Sequence, residues 1–407
     1  MQKTYKVLGI IGLIVLGLSA CRKMLPPSPA DDELLDGPVE GLTTAQKKQF
    51  IAGDIAFNNV VFTPETGLGP FFVATSCGTC HAGDGRGHPF TTLTRFGQSD
   101  TLGNTYMPYG GPQLQNRAIP GYTPETMPAG AAHANFIPPP NTGLGFIDAL
   151  TDQAILANAD PTDANGDGIS GRPNYVTAPY YFMPQPHHMM VNGKYLGRFG
   201  RKGAAVNLWI QTVNAYNQDM GITSEYAPLE PYINGVLSPY GDAAPDPEVS
   251  SSELLNVVFY LRTLKAPIQR TPNDAAVVEG KQIFINTGCA KCHTESFTTG
   301  DCDIQALAHK TIYPYSDFLL HDMGAGLDDS YTEGTALTAE WKTPPLWGLG
   351  LAKNSSGGSY FLLHDGRAHS IEQAITLHGG EAESIIAAYN TLSADAKAKL
   401  IKFLESL

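Results

Sequence analysis

The chain has 407 residues, enough for one large domain or two ordinary ones, and 42% of them are apolar, enough to build real cores. Its 43 glycines and 30 prolines, against only 16% charged residues, suggest long ordered loops wrapped around something rather than a helix-rich bundle. A net charge of −13 with no basic cluster argues against nucleic acid as a partner.

Lys3 and Lys6 precede an apolar run from Val7 to Leu18, followed by Leu18-Ser19-Ala20-Cys21. That is the n-region, h-region and small-residue cleavage site of an export signal, residues 1–21. The run is too short to span a bilayer comfortably as a permanent helix. Leu-Ser-Ala-Cys also resembles the lipobox of bacterial lipoproteins, with Cys21 as the lipidated residue; the plainer reading is an ordinary signal peptide with an incidental cysteine. Either way the chain is expected to leave the cytoplasm and, with the lipid, to be anchored on the periplasmic side of a bacterial membrane. Residues 22–42, rich in Pro, Asp and Gly, read as a flexible tether.

From Thr43 an amphipathic segment with Phe50, Ile55 and Phe57 leads to Cys77-Gly78-Thr79-Cys80-His81. C-x-x-C-H is the attachment signature of a c-type haem. Two thiols three positions apart reach the two vinyl groups of one porphyrin, and the adjoining histidine meets the iron. A thioredoxin-like dithiol or half a zinc site would leave that histidine unexplained. The stretch from Asn104 to Pro247 has few clean periods, but its aromatic content argues for ordered loops.

Within it, Asp163, Asn165 and Asp167 put oxygen side chains on alternate positions, Gly168 permits a turn, and the Ile169 carbonyl offers a fourth ligand. This matches the first half of an EF-hand loop and points to calcium. Position twelve is Asn174, not a bidentate Glu, so the remaining oxygens must come from elsewhere; an Asx-rich turn without an ion is the plainer alternative.

Leu254, Leu255, Val258, Leu261 and Leu264 form a helical stripe from Ser252 to Leu264, with Ser251 or Ser252 as cap and Pro267 as stop. Residues 266–273 then read as a linker. A helical segment Asp274–Asn286, carrying Gly280 and Phe284, leads to the second motif, Cys289-Ala290-Lys291-Cys292-His293. A last helix follows, with Ser393 as cap and Leu400, Ile401, Leu404 and Leu407 on its buried face. The expected fold is therefore mainly α with long irregular loops, in two cytochrome-c-like haem domains: 43–265, with a large loop insertion, and 274–407. Four cysteines go to two covalent haems and one to lipid. Cys302 is left over, more readily a partly buried inert thiol than a reactive one.

The C-terminal third carries further motifs in order: Ser316-Asp317-Phe318-Leu319-Leu320-His321-Asp322, Lys342-Thr343-Pro344-Pro345-Leu346-Trp347, Phe361-Leu362-Leu363-His364-Asp365-Gly366-Arg367 and His378-Gly379-Gly380-Glu381. This set resembles the bacterial di-haem cytochrome c peroxidase superfamily, and within it the di-haem oxidoreductases, also called thiol oxidoreductases. The resemblance implies His81 and His293 as proximal iron ligands. In the better-known peroxidases a Met fourteen residues after the His of His-Asp-Gly is the distal ligand of the C-terminal, electron-transferring haem. Here that position is His378, so the resemblance implies bis-His ligation by His293 and His378, which lowers the reduction potential. For the N-terminal haem, His88, Met107, Met127, Met183, His187, His188 and Met189 compete with an open position. Gln113 and Gln115 are guesses for the superfamily's distal polar residue, and Trp209 for its bridging tryptophan.

The implied function is peroxidase-like: electrons pass from the C-terminal to the N-terminal haem, where a peroxide-type small substrate is reduced. The donor is an unidentified redox protein or a quinol. Rival readings are a non-catalytic electron-transfer lipoprotein and an oxidase of thiols or protein side chains.

Overall fold

The structure, a computed structural model, describes residues 30–98, 101–233, 236, 237, 242 and 244–407. The export signal and Cys21 lie outside the described residues. Residues 30–34 carry a 3-10 turn at Asp31–Glu33 and belong to a separate unit, whereas residues 35–407 form one compact body. In this body helix outweighs strand, and irregular chain outweighs both. Strands occur as short antiparallel ladders such as β1 (Leu93–Gly97) with β2 (Ala132–Phe136), and β3 (Leu320–Asp322) with β4 (Glu340–Lys342). Among the described residues no helix is long and apolar enough to cross a membrane.

Two helix crossings organise the body. In the first, α1 (Thr44–Asn58) packs on α3 (Ser251–Thr263); in the second, α4 (Ala275–Thr287) packs on α7 (Ala394–Ser406). Each helix starts where its sequence supplies a cap. The Thr43 side chain accepts the Gln46 N–H at 3.2 Å while Gln46 Oε1 accepts the Thr43 N–H at 2.9 Å, a reciprocal capping box. Asp274 caps α4, Ser393 caps α7, and Ser250, one residue before the expected candidates, caps α3.

The two crossings repeat one device. Gly53 in α1 and Gly280 in α4 sit where the partner helix comes closest. A Cβ at Gly53 would lie 2.6 Å from Tyr260 Cβ, and one at Gly280 would lie 2.8 Å from Phe403 Cβ, both inside van der Waals contact. Four residues on, Phe57 and Phe284 enter the gap that each crossing leaves. Phe57 packs on Tyr260 with centroids 5.5 Å apart, and Phe284 on Phe403 at 5.4 Å. The first crossing belongs to a large core with Phe50, Leu254 and Leu264; the second belongs to a smaller one with Val277, Leu400 and Leu404.

Two stripe positions expected to be apolar contacts are instead exposed: Ile55 in α1 and Leu255 in α3. Their places inside are taken by Val257 and Tyr260, and in α7 by Phe403 beside Leu400. One long helix, α2 (Leu208–Met220), rises from the stretch without clean periods. Asn207 Oδ1 accepts the Ile210 N–H at 3.0 Å, and Gly221 closes the helix at φ 73°, a left-handed conformation that glycine takes without strain. Two shorter helices, α5 (Ile371–Thr376) and α6 (Glu383–Asn390), complete the C-terminal half.

Because Gly280 meets the backbone of Lys399, Gly280→Val is expected to lower unfolding free energy by about 1–3 kcal/mol through overpacking. Chemical denaturation of the purified holo protein measures it, and an unchanged midpoint would show that the crossing can spread without cost.

Candidate functional site

The first C-x-x-C-H motif forms a single helical turn. Ser76 Oγ accepts the Thr79 N–H at 3.2 Å and starts the turn Cys77–Cys80; the His81 N–H closes it on the Cys77 carbonyl at 3.0 Å. The second motif is a 3-10 turn, Cys289–Lys291, launched from Gly288 at the end of α4, where φ is 99°. There the His293 N–H bonds the Cys289 carbonyl at 3.0 Å. Both turns bring the histidine round to the side of the two cysteines. The phenylalanine of each crossing then braces it: Phe57 lies 6.0 Å from His81 at 50°, and Phe284 lies 6.2 Å from His293 at 55°.

The imidazoles are held neutral. His293 Nδ1 bonds the Tyr315 carbonyl at 2.9 Å, and His378 Nδ1 bonds the Ala374 carbonyl at 2.7 Å. A carbonyl accepts only, so Nδ1 carries the hydrogen and Nε2 keeps its lone pair, which is the tautomer of a metal ligand. Burial drives the pKa of both rings below the usual imidazole range, His293 to about 4. Each ring's charge would also oppose the other's, since His378 disfavours protonation of His293. His81 is likewise pushed to about 4, mainly by burial, against the nearby Pro139 carbonyl and helped by Arg201. The Pro139 carbonyl lies outside normal hydrogen-bond geometry, and His81 Nδ1 is buried with no hydrogen-bond partner.

None of the four motif cysteines is in a disulfide. Burial raises them, Cys77 and Cys80 to about 12 and Cys289 to about 11, with Cys292 raised as well. They are half-exposed and all four line one cavity of about 380 Å³. Both motifs, His81, His293 and His378 line it. Its walls are largely apolar, with Phe57, Ile147, Leu261, Ile371 and Leu404 among them.

A family model described as "Di-haem oxidoreductase, putative peroxidase" matches residues 133–407, about two thirds of the chain. The chain belongs to the di-haem oxidoreductase family. The match contains the second C-x-x-C-H motif; the first precedes it. A chain of Kuenenia stuttgartiensis hydrazine synthase, from a structure pressurised with 20 bar of xenon, aligns over 94% of this chain and 98% of its own, at 15% identity and a TM-score of 0.38. No curated protein matches the chain.

The cavity of this di-haem oxidoreductase suits haem in its charges as well as its donors. Arg86, Arg201 and Lys342 line it and face no carboxylate of their own. Arg201 Nε and Nη2 reach only the Ile137 carbonyl, at 2.9 and 2.5 Å. Arg86 reaches the Leu363 carbonyl, and its Nε is buried without a partner. Asp365, whose charge acts on Arg86 and Arg201, is taken by Arg367 at 2.6 Å, and Asp317, whose charge acts on Lys342, is taken by His321 at 2.8 Å. Burial lowers all three cations, Arg86 to about 10 and Lys342 to about 8; the Arg86 charge further depresses Arg201, and the Arg201 charge Lys342. Packed cations of this kind call for an anion, and the two propionates of a haem are planar carboxylates of the right sort. Nothing in the sequence pattern singled these three out.

Helix α2 supplies the polar wall near the first motif. Thr212, Tyr216 and Asp219 follow at helical spacing and all line the cavity, with the Thr212 and Tyr216 hydroxyls unpartnered. Asp219 is raised to about 6, chiefly by burial, while Gln113 Nε2 donates to its Oδ1 at 2.5 Å. Gln113 and Gln115 thus lie behind Asp219, both bonding the Gln218 carbonyl, rather than on the cavity. None of His88, Met107, Met127, Met183, His187, His188 and Met189 lines the cavity either. Trp209 stacks edge-on with Tyr226 away from it, whereas Trp341 and Trp347 line it. His364 is stacked flat on Trp341 at 3.6 Å, and its Nε2 is occupied by Asp329 at 2.7 Å.

Next to the second motif, His321 has both ring nitrogens bound: Nε2 to Asp317 and Nδ1 to Glu381, each at 2.8 Å. It therefore has no lone pair for iron and serves as an internal cation. The loop with the EF-hand-like spacing docks here. Ser170 donates to Glu381 from both N–H and hydroxyl, and Lys291, between Cys289 and Cys292, pairs with Asp167 at 3.1 Å. Asp163 Oδ1 accepts the Asp167 N–H, Asn165 Oδ1 accepts it too, and Asp167 Oδ1 accepts the Ile169 N–H. Cys302 is half-buried, pushed up by burial, and sits between Arg262 and Asp303, surroundings that do not activate a thiol.

The His321 group fixes a pH window. Burial works against its charge, but the ring's hydrogen bonds to Asp317, Cys292 and Glu381 outweigh it and raise the ring from 6.5 to about 12. Its contribution is fully present below pH 6.5 and fades as the pH climbs toward the folded value. Glu381 is lowered from 4.5 to about 2: burial opposes this, but His321 and Ser170 prevail, so its contribution is lost as pH falls below 4.5. In His321→Gln the stability lost relative to wild type is expected to be greatest between these limits. It should shrink toward about pH 9, at no more than roughly 1.4 kcal/mol per pH unit. Denaturant titrations across pH measure this, and a pH-independent difference would show that the ring is not charged.

Proposed function

We propose that this di-haem oxidoreductase is an exported, lipid-anchored c-type peroxidase. Thioether links at Cys77 and Cys80, and at Cys289 and Cys292, would hold two haems. His81 would ligate one iron, and His293 with His378 the other. The observation that carries this reading is the single cavity onto which both C-x-x-C-H motifs and His378 open. The repeated glycine, phenylalanine and histidine arrangement supports two cytochrome-c-like units, residues 43–265 and 274–407. Bound haems would supply one-electron redox chemistry, carrying electrons from the C-terminal to the N-terminal site for reduction of a peroxide-type oxidant.

The chain's own groups have distinct tasks. The carbonyls of Tyr315 and Ala374 orient the His293 and His378 rings. Arg86, Arg201 and Lys342 neutralise propionates, and the apolar walls exclude water, which strengthens every charge interaction within. Reducing one peroxide to two waters consumes two electrons and two protons. Asp219, with a pKa near 6 and held by Gln113, is suited to hold and deliver a proton, and the Tyr216 and Thr212 hydroxyls extend the row along α2. Calcium at Asp163, Asn165, Asp167 and the Ile169 carbonyl is part of the same proposal. There it would compete with the Lys291 ammonium and brace the second motif. The donor is a redox protein or a quinol, and Cys21 would carry the lipid on the periplasmic side.

In His378→Met the C-terminal haem is expected to rise in midpoint potential by more than about 100 mV, within the ~0.8 V range that axial ligands command. A spectroscopic redox titration reads this, and an unmoved potential would remove His378 from the iron. Half-reduced wild-type protein mixed with hydrogen peroxide in a stopped-flow instrument should show fast haem oxidation. Asp219→Asn should slow it by roughly 100-fold and abolish its dependence on pH near 6. Wild-type oxidation no faster than that of free haem would end the peroxidase reading.

A further inference from the structure

Away from the cavity, three acids converge where the chain leaves α2 and approaches α3. Glu230, Asp246 and Glu248 each bring one carboxylate oxygen within 4.8 Å of the others. A calcium ion with oxygens at about 2.4 Å has a shell about 4.8 Å across, so three oxygens no farther apart than this can share one ion. Glu230 is only 7% exposed, and its Oε2 has no hydrogen-bond partner. Glu248 Oε1 is likewise buried and unpartnered. The other Glu248 oxygen, Oε2, accepts the Thr223 N–H at 2.6 Å, and the Thr223 hydroxyl, with one hydrogen to give, lies 2.6 Å from Glu248 Oε2 and 2.7 Å from Asp246 Oδ1. Among the described residues no lysine, arginine or histidine is ion-paired to any of the three acids. An unpartnered carboxylate oxygen that is buried against two other acids is costly unless a proton or a cation sits among them.

We infer that Glu230, Asp246 and Glu248 are the ligand set of a hard divalent cation of the calcium class, which ties the end of α2 to the start of α3. The donors are all oxygen, with no thiol or imidazole, which disfavours zinc and copper. Their surroundings give the cation structural work. Ser224 bridges to Val249, one residue before the cap of α3. Glu248 packs on Gly67 so closely that a Cβ there would strike its side chain. Gly221, at the end of α2, sits against the carbonyls of Gly69 and Phe71. The cation thus clamps the turn that leads to Cys77 and fixes the end of α2 that presents Asp219. This site is separate from the loop at Asp163–Ile169 and does not rest on the haem reading. The competing occupant is a shared proton, since burial raises Glu230 to about 8, helped by the charges of Glu248, Asp242 and Asp246, and Glu248 to about 7, helped by a hydrogen bond with Asp246.

The test uses full-length holo protein dialysed against a chelator and titrated with calcium chloride by calorimetry at about pH 7.5. Three proteins are compared: wild type, Glu230→Gln with Glu248→Gln, and Asp163→Asn with Asp167→Asn. A saturable site is expected in wild type and in the Asp163/Asp167 pair, weakened at least roughly 10-fold in the Glu230/Glu248 pair. Calcium should also raise the melting temperature of wild type and of the Asp163/Asp167 pair more than that of the Glu230/Glu248 pair. If the Glu230/Glu248 pair does not fold, the exposed Asp246→Asn replaces it, with the same loss expected. No calcium binding by wild type up to about 1 mM, or equal affinity in wild type and the acid-site variants, overturns the inference in favour of shared protons. The haem optical spectrum, recorded alongside, reports on the haem reading independently.

Discussion

The contact on which the rest depends is a phenylalanine ring braced against a histidine, made twice. Gly53 and Gly280 let two helices approach backbone to backbone, which leaves room one turn later for Phe57 and Phe284. Each ring fills the crossing and presses on the histidine that ends a C-x-x-C-H turn. A side chain larger than hydrogen at either glycine pushes the partner helix away and loosens the ring. The histidine then loses the wall that sets its direction. Packing and chemistry are therefore joined at one residue pair in each half: stability of the crossing is also orientation of a candidate iron ligand.

Electrostatics divides the cavity into regions with different tasks. Around His293 and His378 the protein removes charge, through burial and through carbonyls that fix the neutral tautomer. Around Arg86, Arg201 and Lys342 it accumulates positive charge without supplying the anion. Along α2 it places hydroxyls and a carboxylic acid close to neutrality. Such separation is possible only in a site of low dielectric, where each group feels its neighbours strongly. Lys202, pressed 4.0 Å over Trp341 and bound to three carbonyls, continues the positive side behind the wall on which His364 stacks.

The parts legible in the sequence were those with short, rigid rules. C-x-x-C-H gave both motifs, and caps such as Thr43, Asp274 and Ser393 gave helix starts, because local hydrogen bonds need few residues. His378 was reached by resemblance, and the geometry adds a pinned Nδ1. The cation cluster was not legible, because Arg86, Arg201 and Lys342 are brought together only by long-range folding. Helix α2 was hidden among glycines, prolines and tyrosines, although Asn207, the buried run Leu208, Val213, Tyr216 and Met220, and Gly221 carried a usable signal. Leu255 and Ile55 misled for a plain reason: an apolar residue on a helix face tells nothing of whether a partner covers it.

A duplicated plan need not give two separable bodies, and the insertion explains why residues 35–407 hold together as one. Residues 170–174 belong to the N-terminal half, and Ser170, Arg172 and Asn174 each bond the C-terminal half. Ser170 holds Glu381; Arg172 exchanges backbone bonds with Leu320 at 2.8 Å and pairs with Glu340 at 2.7 Å. Asn174 is fully engaged, donating to the Lys202, Gly203 and Glu333 carbonyls while its Oδ1 takes the Thr335 N–H at 2.7 Å. Separating the halves would exchange these bonds for bonds to water, at a net cost of about 0.5–1.5 kcal/mol for each. The long irregular stretch that resisted periodicity is thus the element that fuses the two crossings, and it does so through polar bonds rather than through a hydrophobic stripe.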